Sequence, residues 1–197
     1  LVSQWGEVSG FDGIETPRRL EVLPYTAATN APRPTAGGAI ARDQNFAFGA
    51  DIKYGVTSNL TLDGTVNPDF GQVEADPAVL NLSAFEQFFE ERRPFFLEGA
   101  GIFNFAGGGN GGGSSLFYSR RIGRAPQLGG LYYDQDNPNN STILGAAKLT
   151  GRTAGGLNVG FLNALSDRES GAGGRTIEPR TNTLVTRLQQ DLRNGAS

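Results

Sequence analysis

The sequence predicts an all-β chain of antiparallel strands, and three observations predict it. Apolar and polar residues alternate with period two along several segments of about ten residues. Tight turns rich in glycine, asparagine or serine join such segments into hairpins. No run reaches the roughly 18 apolar residues that a membrane-spanning helix requires. Two architectures share this pattern. An up-and-down membrane β-barrel places lipid on one side of each strand and water on the other. A soluble β-sandwich or barrel alternates in the same way. Tyrosine and phenylalanine at strand ends favour the first, as do glycine, threonine, asparagine and isolated charges on the opposite faces. The pattern by itself leaves both open.

Each element follows in chain order. LEVLPYTA (20–27) reads as a strand, and FAFGADIKYGVT (46–57) is the clearest one. Phe46, Phe48, Ala50, Ile52, Tyr54 and Val56 share one face there, while Ala47, Gly49, Asp51, Lys53, Gly55 and Thr57 share the other. Ser58-Asn59 turns the chain, and LTLDGTVN returns with Leu60, Leu62, Gly64 and Val66 set against Thr61, Asp63, Thr65 and Asn67. SLFYSRRIG (115–123) is a further strand candidate. ILGAAKLTGRT (143–153) places Ile143, Ala147 and Leu149 opposite Lys148, Thr150 and Arg152. After Ala154-Gly155-Gly156, LNVGFLNALS brings back Leu157, Val159, Phe161 and Leu165. Residues 181–193 repeat the theme, with Leu184, Leu188 and Leu192 opposite Arg187, Gln189, Asp191 and Arg193.

Residues 68–115 interrupt the strands. SAFEQFFEERRPFFLE (83–98) opens with Ser83 and Glu86 at the spacing of a capping box. Phe85, Phe88 and Phe89 then fall on one face of a short helix, which Pro94 is expected to end, with Arg93 before it pushed out of helical geometry. About two turns of helix do not stand alone in water, so the phenylalanines must dock on something. In a barrel the available place is the lumen or its rim, where Arg120, Arg121 and Arg124 are candidate partners for the carboxylates. The low-complexity stretch AGGGNGGGSS (106–115) reads as a flexible tether; it lacks the lysine of a phosphate-binding loop. Residues 124–141 form a polar, turn-rich loop suited to the external side.

Composition removes several chemistries. With no cysteine and no histidine, thiol catalysis, disulfides, serine–histidine triads and histidine metal sites are excluded within these residues. A net charge of −3 offers no basic excess for nucleic acid. Carboxylate chemistry remains. Asp69, Glu74 and Asp76 are weak candidates for a hard cation; their spacing does not match an EF-hand loop, and capping of turns explains them as well. No catalytic residue, metal or cofactor is therefore assigned. The candidate binding residues are a luminal charge cluster of Glu90, Glu91, Arg92, Arg93, Glu98, Arg120 and Arg121. A plug or constriction is the preferred reading of that unit over a catalytic carboxylate pair drawn from Glu90, Glu91 and Glu98.

Four segments carry a resemblance. TPRRLEVLPY (16–25), GADIKYGVTSNLTLDGTVNPDFGQVEAD (49–76), FFEERRPFFLEG (88–99) and LFYSRRIGRAP (116–126) are similar, in order, to an outer-membrane β-barrel family of unknown function. Its members often carry the label of membrane-associated hydrolases, and their barrel follows a domain similar to a family-nine carbohydrate-binding module. The resemblance implies that residues 1–19 are the junction leaving such a domain. Residues 20–197 would then be the N-terminal part of an antiparallel outer-membrane β-barrel, a partial barrel with the plug-like insertion at 68–115. It carries over no catalytic residue. The chain opens on Leu1 without a methionine and stops after a turn-like Asn194-Gly195, so a piece of a longer protein is expected.

The implied location is the cell outer membrane of a Gram-negative envelope. The implied partners are outer-membrane lipid and carbohydrate, without nucleic acid. The alternatives from other classes are a carbohydrate-active hydrolase using a carboxylate pair and a soluble secreted sugar-binding β-domain.

Overall fold

The computed structural model describes residues 19–34, 40–68, 88–104, 116–131, 138 and 140–190. Its strands are β1 (Leu20–Pro34), β2 (Ile40–Thr57), β3 (Leu60–Val66), β4 (Ile143–Arg152), β5 (Leu157–Ser166), β6 (Glu169–Ser170), β7 (Thr176–Glu178) and β8 (Thr181–Gln190). Six of them form one antiparallel sheet in the order β1-β2-β3-β4-β5-β8, while β6 and β7 make a separate two-stranded ribbon. Every neighbour in the large sheet is the next large strand along the chain. It is therefore an up-and-down meander, open among the described residues, with β1 and β8 at its edges.

Period-two alternation sets the register. Tyr54 pairs with Leu62, Leu62 with Leu149, Leu149 with Phe161, and Phe161 with Thr186. Residues directly opposite in a ladder point to the same side, so the apolar positions of successive strands line up across the sheet. One row further, Lys53 pairs with Asp63, Asp63 with Lys148, and Lys148 with Leu162. The two faces are thus chemically distinct over β2, β3 and β4; on β5 and β8 the second row passes to Leu162 and Val185.

Their burial is inverted relative to a water-soluble sheet. On the apolar face, Phe48, Ile52, Leu62, Phe161, Leu184 and Leu188 are exposed, Phe48 at 68 % and Leu188 at 61 %. On the other face, Asp63, Thr65, Lys148 and Thr150 are buried, Lys148 at only 1 % exposure. What covers that second face is the insert between β3 and β4. Phe96 and Phe103 of the insert pack with Ile122, Ile143, Ala146, Leu162 and Ala164 in the core, and Phe95, Phe117 and Val185 flank them.

A register shift between Gly55 and Thr57 pairs Thr57 with Leu60, so Thr57 leaves the face predicted for it beside Gly55. Three larger expectations also change. Pro94 starts a helix and does not end one: α1 is Pro94–Leu97, with Arg93 extended at the N-cap. Proline at N1 forfeits no intrahelical bond and brings a φ suited to the first turn. Arg93 is indeed held outside helical geometry, while Phe88–Arg93 form no helix; Ser83, Phe85 and Glu86 lie outside the described residues. Second, residues within 115–123 form a 3-10 turn, Ser119–Arg121, and not a strand. Its Ser119 and Ile122 carbonyls are turned inward to the Arg93 guanidinium. Third, Ile143 does not share a face with Ala147 and Leu149. A register shift between Ile143 and Gly145 reverses the parity and sends Ile143 into the core, as one extra residue in a strand does.

The two ends of the sheet also differ. At one end lie Arg19 against Gly55, the Ser58-Asn59 turn, and the turn closed by the Gly156 amide donating to the Thr153 carbonyl at 2.9 Å. At the other end, β3 leaves toward the insert, β4 begins, and β5 and β8 are joined through β6 and β7.

Candidate functional site

The site is the polar face of the sheet together with the insert, residues 88–104, that lies on it. Basic side chains of the wall hold the insert by its backbone. Lys148, on β4, donates to the carbonyls of Phe95 and Glu98, each at 2.6 Å. Its ammonium also lies 3.5 Å from the Asp63 carboxylate and 4.9 Å from the centre of the Phe95 ring. Arg187, on β8, donates to the carbonyls of Ile102 at 2.9 Å and Asn104 at 2.8 Å. Lys53, on β2, donates to the Glu98 carboxylate at 2.6 Å.

These contacts explain how charge is tolerated on a covered face. A buried ammonium is costly unless paired and hydrogen-bonded. The Lys53–Asp63–Lys148 row alternates in sign across three strands, and Glu98 adds the fourth charge from above. Helix α1 is one turn long, so its last carbonyls have no intrahelical partners; Lys148 takes up two carbonyls of this segment. Gly99, with φ of 65°, then turns the chain away in the left-handed conformation that favours glycine.

Two further features set the insert's depth. Gly160 of β5 lies directly under Ile102 and Phe103, and any Cβ there would meet the Ile102 methyl. Phe103 stacks edge-on against Phe117 at 6.1 Å between centroids. At the insert's leading end, the Phe89 amide donates to the Tyr118 hydroxyl at 2.7 Å, and that hydroxyl donates to the Phe89 carbonyl at 3.0 Å.

The predicted charge cluster separates into two groups. Glu91 and Arg93 form a fork: Arg93 Nε and Nη2 donate to the two carboxylate oxygens at 2.7 and 2.6 Å. Arg93 also donates to the Ile122 and Ser119 carbonyls at 2.6 and 2.8 Å, and its guanidinium lies 4.2 Å from the centre of the Phe96 ring. Ser119 Oγ donates to Glu91 as well. Burial pushes the Glu91 carboxyl upward, but bonds from Arg93 and Ser119 and the charge of Arg93 outweigh it and hold the group below the usual carboxylate range.

Glu98 belongs to the second group, with Lys53. Glu90 and Arg92 are exposed, Arg120 is half-buried and Arg121 exposed; Arg120 and Arg121 lie in the turn that Arg93 braces. Arg124 offers its backbone carbonyl to Ser141. Asp69, Glu74 and Asp76 lie outside the described residues. Among the described residues no group of three acidic side chains stands close enough together to hold a metal ion.

Lys148 and Arg187 belong to no sequence motif. Their signal was a basic side chain at a strand position of polar parity; nothing local to it points to carbonyls 50 to 85 residues away. Chemically, Glu91 is neutralised by Arg93 and Glu98 by Lys53, an arrangement that immobilises segments. A small pocket of about 170 Å³ remains beside the insert, lined by Gly101, Ile102, Asn158, Arg187 and Gln189.

No curated protein and no solved structure matches the chain. A family model, described as Domain of unknown function (DUF5916), matches residues 16–194. The chain therefore belongs to the DUF5916 family.

Proposed function

We propose that this chain is wall and plug of an outer-membrane β-barrel: the apolar face meets lipid, and the insert fills part of an aqueous interior. The observation that carries the reading is the inverted burial of the sheet. A soluble sheet covers its apolar face and leaves charges in water. Here Leu62, Phe161, Leu184 and Leu188 stay exposed while Asp63 and Lys148 are buried. Asp51, Lys53, Asp63 and Lys148 share the insert's side of the wall by register, so the lipid-facing side is spared their charge. Strands of ten residues such as β4, β5 and β8 match the 9–11 residues that cross a bilayer at a tilt.

The molecule handled by such a barrel is, on the resemblance of the sequence, a carbohydrate or another envelope substrate. Placement of Glu91 and Glu98 in ion pairs favours binding or gating over glycoside hydrolysis. The test is fractionation and electrophoresis of the full-length product. It should sediment with outer membrane, require detergent to stay dispersed, and migrate differently before and after boiling. A product that stays monomeric in plain buffer, with one gel mobility, defeats the proposal.

A further inference from the structure

Resting on the barrel reading, we infer that the barrel has a defined sidedness: the end carrying the long connections faces the cell exterior, and the end carrying the two tight turns faces the periplasm. Four observations meet in this assignment. First, Ser58-Asn59 and the Thr153–Gly156 turn sit at the same end as Arg19, where the chain enters β1. Second, the excursion from Asn67 to Thr142 and the connection from Asp167 to Arg180 both leave from the opposite end.

Third, that second end is built up into a folded layer. Gln127 donates its amide to the Glu178 carboxylate at 2.8 Å, the Leu128 amide donates to the Ile177 carbonyl at 3.2 Å, and Thr142 donates to Glu169 at 2.6 Å. Ile177 is fully buried there. Fourth, β2 has 18 residues, about 60 Å of strand at ~3.3 Å per residue. Its ladder with β3 stops at Ala50 and Val66, so Ile40–Gly49 project with β1 past the sheet, on the long-connection side. Among the described residues, the mass outside the apolar band therefore lies mostly beyond one of its edges.

Outer-membrane barrels of this construction have short turns toward the periplasm and longer loops outside. Two consequences follow here. The layer built on Gln127, Leu128, Glu169, Ile177 and Glu178 is the surface offered to the surroundings. The small pocket between Gly101 and the Asn158–Gln189 pair, next to the 153–156 turn, lies near the periplasmic rim.

Cysteine scanning decides the matter: these residues hold no cysteine, and any cysteine elsewhere in the full-length protein is first replaced by serine. Gly130→Cys and Ala172→Cys report the long-connection end; Ser58→Cys and Ala154→Cys report the tight turns. All four positions are exposed. In the full-length protein in cells, a membrane-impermeant maleimide should label the first pair in intact cells and the second pair only after the outer membrane is permeabilised. The opposite pattern overturns the sidedness and leaves the barrel standing. Labelling of both pairs alike, in protein that fractionates with membrane, overturns it too. Recovery of the variants in the soluble fraction removes the barrel reading itself, and the sidedness with it.

Discussion

Lys148 on β4 donates to the carbonyl oxygen of Phe95 at 2.6 Å, across 53 residues of chain. A buried cation is thereby satisfied mainly by main-chain oxygens of another segment. The wall recognises the position of the insert's backbone more than the identity of its side chains. Lys148→Met should therefore loosen the insert and strand Asp63 without its partner. Loss of one member of such a buried pair costs about 3–5 kcal/mol. Limited proteolysis of the folded protein should show faster cleavage between Phe95 and Phe103; unchanged protection would mean that Lys148 does not hold the insert.

Gly160 provides the second handle on the same docking. Its hydrogen is what lets Ile102 and Phe103 lie against β5. Gly160→Ala should lift the insert at a cost of about 1–3 kcal/mol, the usual penalty for adding a carbon to a filled space. Hydrogen exchange should report the change at Ile102–Asn104 and leave the amides of the β2–β3 ladder alone. A uniform effect over the whole sheet would contradict this placement.

Glu91 makes the Arg93 knot pH-dependent in a known direction. Its folded pKa lies below its ordinary value because Arg93 and Ser119 bond to the ionised form, against the opposing effect of burial. A depressed carboxylate contributes stability that is fully present above the unfolded pKa and disappears as pH falls through the folded one. Insert docking, followed by protease protection of the 88–104 segment, should therefore hold at neutral pH and weaken below the usual carboxylate range. Glu91→Gln should weaken docking at neutral pH and flatten that acid limb.

The lipid reading is open to a charge scan of the two faces. Leu62→Arg, on the apolar face, should cost about 2–4 kcal/mol near the bilayer midplane, measured as reversible folding into liposomes. Ser58→Arg at the turn should cost little, since charge is tolerated at the interface. If Leu62→Arg proved neutral, the face would be touching water, where an exposed substitution shifts stability by only about ±0.5 kcal/mol.

Much of the fold was legible because strand alternation is a local property. The parities of 46–55, 60–66 and 157–166 and the turn at Ser58-Asn59 needed only the two-residue period and turn chemistry; the register shift between Gly55 and Thr57, which pairs Thr57 with Leu60, did not follow from them. The helix start is not legible, because Pro94 is compatible with both a helix stop and a first turn. Neighbouring residues do not decide between them; docking of Phe96 into the core does. The face of Ile143 is not legible either, because a bulge leaves no mark in composition and one extra residue inverts every side chain beyond it. Glu91 and Arg93 were found as charges, but their fork became visible only when Ser119 and Ile122 were folded against them.

By itself, then, the sequence determined that alternating strands would carry one apolar and one charged face, and that a phenylalanine-rich segment between β3 and β4 would need a surface to cover. Tertiary structure alone decided which side chains of the polar face hold that segment, and by which of its atoms. The reason is physical: period two assigns side chains to faces but is silent on what lies over them, whereas Lys148 and Arg187 find their acceptors only when carbonyls more than 49 residues distant are brought within hydrogen-bond reach.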